Sequence, residues 1–417
     1  MAEEMQAIRT LTRPPRNPTP PRQPDSDHRS AFPRLGHRPA LDGVRGLAIL
    51  GVLVVHTNTF GGWPNLIPGG HLGVVVFFVL SGFLITTLLL EEYEATGNIS
   101  LRGFYLRRAA RLLPALLLLL PFHALVWGFR VSPTEVALSI LPVVLYVSNI
   151  VRANAMIPLY GTSWTWSLAV EEQFYMGWPP LLRWLLSKRW GLWIPMLACL
   201  AVIIFSCSFR AVYANEPLWH GYLYYATESR IDGLAFGCLA ALVLWQVTRH
   251  PIDPHTRLGA AVQWCLRLPG GTRWLEIAGW LGLIWLGYSY RVYDNHLNET
   301  FSFAFPTAAL AAVMVVLAVV TRPTGWLARL LSNRVLVRFG MLSYGLYLWN
   351  LLPIQAWRIF YEERPGRLAT AGCLVVTYIA AELSFRFVER PIIRWAKSKT
   401  KGDKQTKDDK NPPRSGR

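Results

Sequence analysis

Charged side chains are scarce in this sequence of 417 residues. Only 16% of the residues are Asp, Glu, Lys or Arg, whereas 52% are hydrophobic. Soluble globular domains carry about 25% charged residues, so this composition excludes an ordinary soluble domain. The chain therefore has the composition of a membrane protein.

Cysteine is also scarce, and its distribution argues against two kinds of site. The five cysteines are odd in number and widely spread, and most of them lie in apolar stretches. Neither the paired spacing of a disulfide framework nor the short spacing of zinc ligands is present. The sequence thus predicts no disulfide framework and no metal site.

Long apolar runs are missing from both ends of the chain. Residues 1–38 are rich in Pro and Arg and have no hydrophobic segment near Met1, which predicts a disordered basic arm and no cleavable signal peptide. Residues 397–417 predict a second disordered basic tail. Residues 39–396 between them form one predicted transmembrane domain. The net charge of +17 lies in these tails and in short loops, which fits the positive-inside rule better than nucleic-acid binding.

The region between the tails contains eleven apolar runs. A transmembrane helix needs about 17–25 such residues. Two basic tails on the cytosolic side require an even number of crossings. The run over residues 135–151 is short and is broken by Pro142, so we expect it to be re-entrant or interfacial. The sequence predicts an all-α bundle of about ten transmembrane helices in the inner membrane of the cell, with both termini cytosolic.

Two ionisable residues share one face of the first predicted span. Arg45 and His56 are eleven residues apart, a spacing that places both on one side of a helix, about 16 Å apart along its axis. Ionisable residues inside a span are costly and usually face a cavity or the bundle interior. A local pair of Arg45 with Asp42 and an interfacial His56 would be the alternative. The shared face favours a functional pair.

Small residues and a basic cluster mark the next two spans. Ser81 and Gly82 lie in the run GGHLGVVVFFVLSGFLIT, where they permit close helix packing or the passage of a substrate. The segment FYLRRAARLLPA then places Arg107, Arg108 and Arg111 at the inner mouth of the bundle. Arginine donates bidentate hydrogen bonds to phosphate, so this cluster is a candidate phosphate site. A topology signal of the positive-inside kind would explain the same charges.

Adjacent glutamates occur near the start of a later span, in the segment SWTWSLAVEEQFY. Glu171 and Glu172 point in different directions on a helix, so one can face a cavity while the other caps or pairs. We expect both carboxylates at the depth of His56, where one of them fixes the histidine tautomer and supports its charge in proton transfer. An interaction of acidic residues with the helix dipole is the alternative.

Three further segments place polar residues beside apolar runs. ESRIDGLAFG brings Arg230 and Asp232 to the outer start of a span, and MLSYGLYLWN ends a span at Asn350. SFRFVERP carries charges at spacings of three and four, which are typical of structural ion pairs within a helix.

Seven segments in this order resemble the acyltransferase-3 family of membrane acyltransferases. The likeness runs from about Arg38 to Arg394, and it is carried by ALDGVRGLAILGVLVVH, GVVVFFVLSGFLIT, FYLRRAARLLPA, TWSLAVEEQFY, RIDGLAFG, LSYGLYLW and FVERP. The family O-acylates polysaccharides, lipid-linked sugars, antibiotics and similar acceptors. The chain resembles the stand-alone type, without the esterase-like domain that is fused to some members.

The resemblance implies a set of site residues. The family's arginine and histidine signature corresponds to Arg45 and His56, and its paired glutamates correspond to Glu171 and Glu172, which gives four candidate catalytic residues. The candidate donor-binding residues are Arg107, Arg108, Arg111, Ser81 and Gly82. Members of the family often have histidine where this chain has Asn350.

The resulting hypothesis is an O-acyltransferase that uses acyl-CoA as a co-substrate and has no permanently bound cofactor. An acetyl or other short acyl group would pass to a hydroxyl of a carbohydrate, glycolipid or secondary-metabolite acceptor. His56 would act as general base or would carry the acyl group transiently; the sequence leaves both routes open. The alternative is a transporter or flippase that uses the same buried charges as substrate contacts.

Overall fold

The computed structural model describes residues 35–188, 190–249, 273–294, 298–396 and 398. In these residues the regular secondary structure is helical, without a β-strand, which confirms the predicted all-α class. The predicted basic arm and tail lie almost entirely outside the described residues. The α-helices are, in chain order, α1 (Pro39–Phe60), α2 (Gly73–Thr96), α3 (Leu101–Trp127), α4 (Pro133–Val144), α5 (Ser148–Ala153), α6 (Trp166–Ser187), α7 (Trp193–Tyr213), α8 (His220–Tyr225), α9 (Thr227–Arg230), α10 (Asp232–Arg249), α11 (Arg273–Val292), α12 (Phe305–Thr321), α13 (Trp326–Leu331), α14 (Arg334–Met341), α15 (Ser343–Trp349), α16 (Leu352–Tyr361) and α17 (Arg367–Ser384).

Six helices in the described part of the chain are long and apolar enough to cross a membrane. They cover Pro39–Phe60, Pro68–Thr96, Leu101–Trp127, Trp193–Tyr213, Thr300–Thr321 and Arg367–Ala396. A seventh span results if α14 and the segment Ser343–Tyr361, which meet at a 59° bend, are counted together. The protein is therefore a multi-pass membrane protein. The count of about ten remains a prediction, because α6, α10 and α11 do not meet the same criteria of length and composition.

The short helix α4 occupies most of the run that was predicted not to cross. It has 12 residues and contains Pro142, so it extends about 18 Å, well short of a hydrocarbon core of about 30 Å. A capping box fixes its start, because the Ser132 hydroxyl accepts from the Glu135 backbone N–H and the Glu135 carboxylate accepts from the Ser132 backbone N–H. The length of α4 agrees with a re-entrant or interfacial segment.

The helices differ in how much of their surface lies inside the bundle. About two thirds or more of the most apolar window of α1, of α2 and of the Thr300–Thr321 helix is buried, whereas only about a third of that of α3 and α7 is buried. The buried helices α1, α2 and Thr300–Thr321 thus lie at the centre, and α3 and α7 lie at the periphery. Arg45 and His56 of α1, and Ser81 of α2, therefore project from central elements of the bundle.

Candidate active site

A cavity of about 510 Å³ lies among α1, α2, α3, α6 and α15. Segment 35–38, just before α1, contributes to its lining. Its polar lining consists of His37, Arg38, Asp42, Arg45, Ser81, Glu92, Arg107, Arg108, Arg111, Ser167, Glu171, Tyr175, Ser343, Tyr344, Tyr347 and Glu389. Six of the nine predicted site residues thus line one cavity, and His56, Gly82 and Glu172 do not.

Arg108 is the centre of a buried charge cluster. Its Nη2 lies 3.5 Å from Glu171 Oε2, and its Nε donates to Glu172 Oε1 at 3.2 Å. The guanidinium also lies 3.7 Å from the centre of the Tyr175 ring. These contacts hold the Arg108 guanidinium between two carboxylates and an aromatic face. Arg108 is therefore already paired within the protein and is a weaker candidate for binding a ligand.

Ser81 joins this cluster from α2. Its hydroxyl donates to Glu171 Oε1 at 3.0 Å, which links α2 and α6 within the cavity wall. Glu171 is consequently held by both Arg108 and Ser81. The cluster defined by Ser81, Arg108, Glu171 and Glu172, together with Arg111, is called the cavity cluster below.

The remaining arginines of the cavity differ in their partners. Arg107 pairs with Glu92 at 3.3 Å, and Arg45 pairs with Asp42 at 2.9 Å. The Arg45–Asp42 pair is the local contact that the sequence offered as an alternative reading, yet Arg45 also lines the cavity. Arg111 has no hydrogen bond or ion pair with any described residue, and its side chain is exposed within the cavity. Arg111 is therefore available to an anionic ligand.

A pair of hydroxyl groups lies in the wall of the cavity. The Tyr347 hydroxyl donates to the Trp164 carbonyl oxygen at 2.6 Å and lies 2.5 Å from the Ser167 hydroxyl. Tyr347 O–H is thus used by Trp164, so Ser167 donates to Tyr347. Both side chains are buried, and both line the cavity.

His56 lies beyond the cavity lining and contacts Asn350, the residue that follows α15. The distance between His56 Nδ1 and Asn350 Oδ1 is 2.6 Å. Among the described residues, no carboxylate forms an ion pair with His56. The predicted contact between a glutamate and His56 is therefore wrong, because Glu171 and Glu172 lie within reach of Arg108 and a buried carboxylate is stabilised by a cation rather than by a neutral ring.

Gly82 has a packing role in the structure. A Cβ atom at this position would lie 2.0 Å from the Leu234 carbonyl oxygen, so only glycine allows α2 and α10 to approach this closely. Gly82 does not line the cavity, which leaves its predicted part in donor binding without a geometric basis.

The segment SFRFVERP divides into a structural and a cavity-lining part. Glu382 pairs with Arg386 and with Arg338, as the spacing within the segment partly predicted. Glu389 lies in a π-helical turn over Phe385–Glu389, accepts from the Ser384 hydroxyl at 2.9 Å and lines the cavity. A π-turn changes the direction of side chains within a helix, so spacing alone did not reveal that Glu389 faces the cavity.

Arg230 and Asp232 lie away from the cavity. Asp232 binds Arg210 of α7 through two contacts, Nη1–Oδ1 at 3.0 Å and Nη2–Oδ2 at 2.6 Å. Arg230 instead lies over the ring of Phe305, with its guanidinium carbon 3.5 Å from the ring centre. Arg210 was not singled out in the sequence, since it is one charge near the end of an apolar run. Arg210, Arg230 and Asp232 are called the sealed cluster below.

Comparison with known proteins agrees with this architecture. A family model described as an acyltransferase domain matches residues 38–383. A candidate O-acetyltransferase of Staphylococcus aureus is 31% identical over 381 residues, which cover 86% of this chain and 58% of that protein. No solved structure matches the chain significantly.

Two further relatives carry a substrate in their names. A candidate peptidoglycan O-acetyltransferase of Bacillus subtilis is 32% identical over 85% of this chain and 54% of its own length. The peptidoglycan O-acetyltransferase OatA of Listeria monocytogenes is 30% identical over 85% of this chain and 55% of its own length. The chain thus spans a little more than half of the length of these relatives.

The family match covers most of the helical bundle and all nine predicted site residues. It includes the parts of α1, α2, α3, α6 and α15 that line the cavity, whereas the lining residues Phe385, Glu389, Ile393 and Ala396 lie beyond the matched range. The chain therefore belongs to the acyltransferase-3 family of membrane acyltransferases.

Proposed function

We propose that this protein transfers a short acyl group, with acetyl as the first candidate, from acyl-CoA to a hydroxyl group of a carbohydrate or glycolipid acceptor. The observation that carries the proposal is a cavity with arginines in its wall and Tyr347 in its lining. The His56–Asn350 pair adjoins it, because Asn350 Nδ2 donates to the Tyr347 carbonyl oxygen. Arginines that can bind an anionic donor and an imidazole that can accept a proton thus lie in adjoining parts of one bundle.

The donor is proposed to enter past segment 35–38. Acyl-CoA is a co-substrate with several phosphate charges, and it has to bring a thioester into the bundle. Arg111 is the accessible cation without a described partner, so it is the strongest candidate for a contact with the donor. Arg45 lies nearer to the start of α1, where Asp42 holds its guanidinium in position beside the cavity.

The reaction requires one proton to leave the acceptor. In the proposed direct route the acceptor oxygen attacks the thioester carbonyl carbon, a C–O bond forms, and the C–S bond breaks. His56 takes the hydroxyl proton, and CoA leaves as a thiolate that is protonated by solvent. The alternative route, in which His56 first receives the acyl group, has the same overall balance.

The acceptor class rests on the named relatives. Two of them are named for peptidoglycan O-acetylation, and this supports a carbohydrate hydroxyl as the acceptor of the present chain. We further propose that both termini are cytosolic, because the basic loops then also lie on the side where positive charge is retained. The donor and acceptor would in that case approach the bundle from opposite sides.

The proposal is tested with purified protein in nanodiscs, acetyl-CoA and soluble peptidoglycan fragments. Released CoA is measured with a thiol reagent, and the acetylated fragment is measured by mass spectrometry. His56→Ala is expected to lower turnover by at least ~10²-fold, the usual loss when a general acid–base group is removed. A matched control is His123→Ala, which removes a buried histidine of α3 and is expected to change turnover little.

Two results would contradict the proposal. One is a His56→Ala variant that retains more than about a tenth of wild-type turnover, because removal of a general base lowers turnover by more than that. Movement of the acceptor across the membrane without any release of CoA would favour the transporter alternative.

A further inference from the structure

The side chain of Asn350 is engaged at both ends of its amide. Asn350 is 2% exposed. Its Nδ2 donates to the Tyr347 carbonyl oxygen at 2.5 Å, and its Oδ1 lies 2.6 Å from His56 Nδ1. A backbone carbonyl oxygen can only accept a hydrogen bond, so it fixes the NH₂ end of the amide. The oxygen end of Asn350 must then face His56.

The orientation of this amide determines which nitrogen of His56 carries the proton. Asn350 Oδ1 is an acceptor only, so the hydrogen bond requires a proton on His56 Nδ1. A neutral imidazole carries one N–H, and its other nitrogen has a free lone pair. Nε2 is therefore the nitrogen that can accept a proton.

We propose that Asn350 is a positioning residue that holds His56 in the Nδ1-protonated form, so that Nε2 is the atom that accepts the proton of the acceptor hydroxyl. This inference rests on the proposed role of His56 as a base. Asn350 does not contact the substrates in this proposal; it acts through the imidazole. Asn350 thus fixes the His56 tautomer, a role that the sequence analysis had predicted for Glu171 or Glu172.

The chemistry of an amide partner differs from that of a carboxylate partner. An amide orients the imidazole without adding a negative charge beside it, whereas a carboxylate also stabilises the imidazolium. His56 forms no ion pair with a described residue, and Asn350 is its hydrogen-bond partner. Asn350 therefore orients the ring without favouring its protonated form as a carboxylate would.

A purely structural role for Asn350 would predict a different set of effects. Asn350 bonds the carbonyl oxygen of Tyr347, three residues earlier, and this contact stabilises the end of α15. If Asn350 had only this role, its replacement would lower stability and nothing else. A structural residue of this kind changes the melting temperature and the folded fraction. It does not change the turnover of the folded enzyme or the pH dependence of that turnover.

The test compares Asn350→Leu, Asn350→Asp and Gln355→Leu in the acetyl-CoA assay. Gln355 is a matched control because its amide also makes two hydrogen bonds, to the Gly161 carbonyl oxygen and from the Trp127 indole N–H, without contacting His56. Asn350→Leu removes the acceptor for Nδ1 and is expected to lower kcat at least ~10-fold, with the KM for acetyl-CoA nearly unchanged, because the tautomer is no longer fixed. Gln355→Leu is expected to lower the melting temperature while kcat per folded molecule stays within about twofold.

Asn350→Asp supplies a second readout if the leucine variant does not fold. A carboxylate at this position stabilises the imidazolium, so the base becomes active only at higher pH. The acidic limb of the kcat/KM profile is expected to move up by about one pH unit or more.

Two outcomes overturn the positioning role. One is a kcat for Asn350→Leu that matches that of Gln355→Leu, and the other is an unmoved acidic limb for Asn350→Asp. Failure of the underlying proposal is recognised separately, because His56→Ala would then remain active whatever the Asn350 variants do.

Discussion

The cavity cluster and the sealed cluster contain the same kinds of side chain in different surroundings. In the cavity cluster, Arg108 lies between Glu171 and Glu172, and the nearby Arg111 is accessible to a ligand. In the sealed cluster, Arg210 is fully buried and is bound by Asp232, while Arg230 is covered by Phe305. One group of charges faces an open volume, and the other is enclosed by protein.

The difference shows that a buried charge does not by itself mark a site. Both clusters contain charged residues that lie beside apolar runs in the sequence, but only the cavity cluster contains residues that were predicted as site residues. What separates them is whether neighbouring helices leave space next to the charge. Mutations should therefore affect the sealed cluster through stability and the cavity cluster through activity.

The largest effect is expected for Asp232→Asn in the sealed cluster. The change leaves Arg210 buried without a counter-ion, and breaking a buried ion pair in this way costs about 3–5 kcal/mol. Thermal unfolding of the purified variant in detergent measures the loss. An unchanged melting temperature would show that Arg210 finds another partner and would remove the distinction between the clusters.

A different balance is expected for Glu171→Gln in the cavity cluster. The amide keeps the size of the side chain and an oxygen for the Ser81 hydroxyl, and Arg108 retains Glu172, so the loss of stability is smaller than for Asp232→Asn. Turnover is expected to fall about ten- to hundredfold, because the new NH₂ group cannot accept from the Arg108 guanidinium, which then moves within the cavity wall. The melting temperature and kcat of the same preparation test both parts. A large fall in melting temperature with nearly unchanged kcat would show that Glu171 stabilises the fold and has no role in activity.

The smallest effect is expected for Arg111→Gln. Removing the accessible cation is expected to raise the KM for acetyl-CoA about tenfold, equivalent to about 1.4 kcal/mol, and to leave kcat nearly unchanged. S-acetylpantetheine, which lacks the phosphates of CoA, should be used equally well by the variant and the wild type. Arg107→Gln is the matched control, since Arg107 is already paired with Glu92. An equal change in KM for both donors would mean that Arg111 does not bind phosphate.

The helical class, and the choice of Arg45, Ser81, Arg108 and Glu171 as candidate site residues, could be predicted from the sequence, because apolar periodicity and charges inside a span are local signals. Pairing could not be predicted in the same way. Arg108 and Glu172 are separated by 64 positions, and His56 and Asn350 by 294. Such contacts depend on which helices become neighbours, and one chain's local pattern carries little information about this.

Depth within the bundle was the other weak point of the sequence prediction. Glu171 was placed beside His56 by counting residues from the end of a span, yet its long side chain and that of Arg108 meet at the cavity. Gly82 shows the same limitation, because a small residue next to a candidate site can serve either a ligand or a neighbouring backbone. Counting along a helix gives the height of a Cα atom and leaves the side-chain partner open.

The contact of Tyr347 with Ser167 and Trp164 has a consequence for the membrane itself. A bundle that encloses a cavity accessible to solvent must not become a pore for protons and ions. At this point of the cavity wall the Tyr347 hydroxyl binds both the Ser167 hydroxyl and the Trp164 carbonyl oxygen, and all three residues are buried. We expect these mutually bonded polar groups to hinder the passage of protons and ions, so that substrates can enter the bundle without dissipating the ion gradients that the membrane maintains.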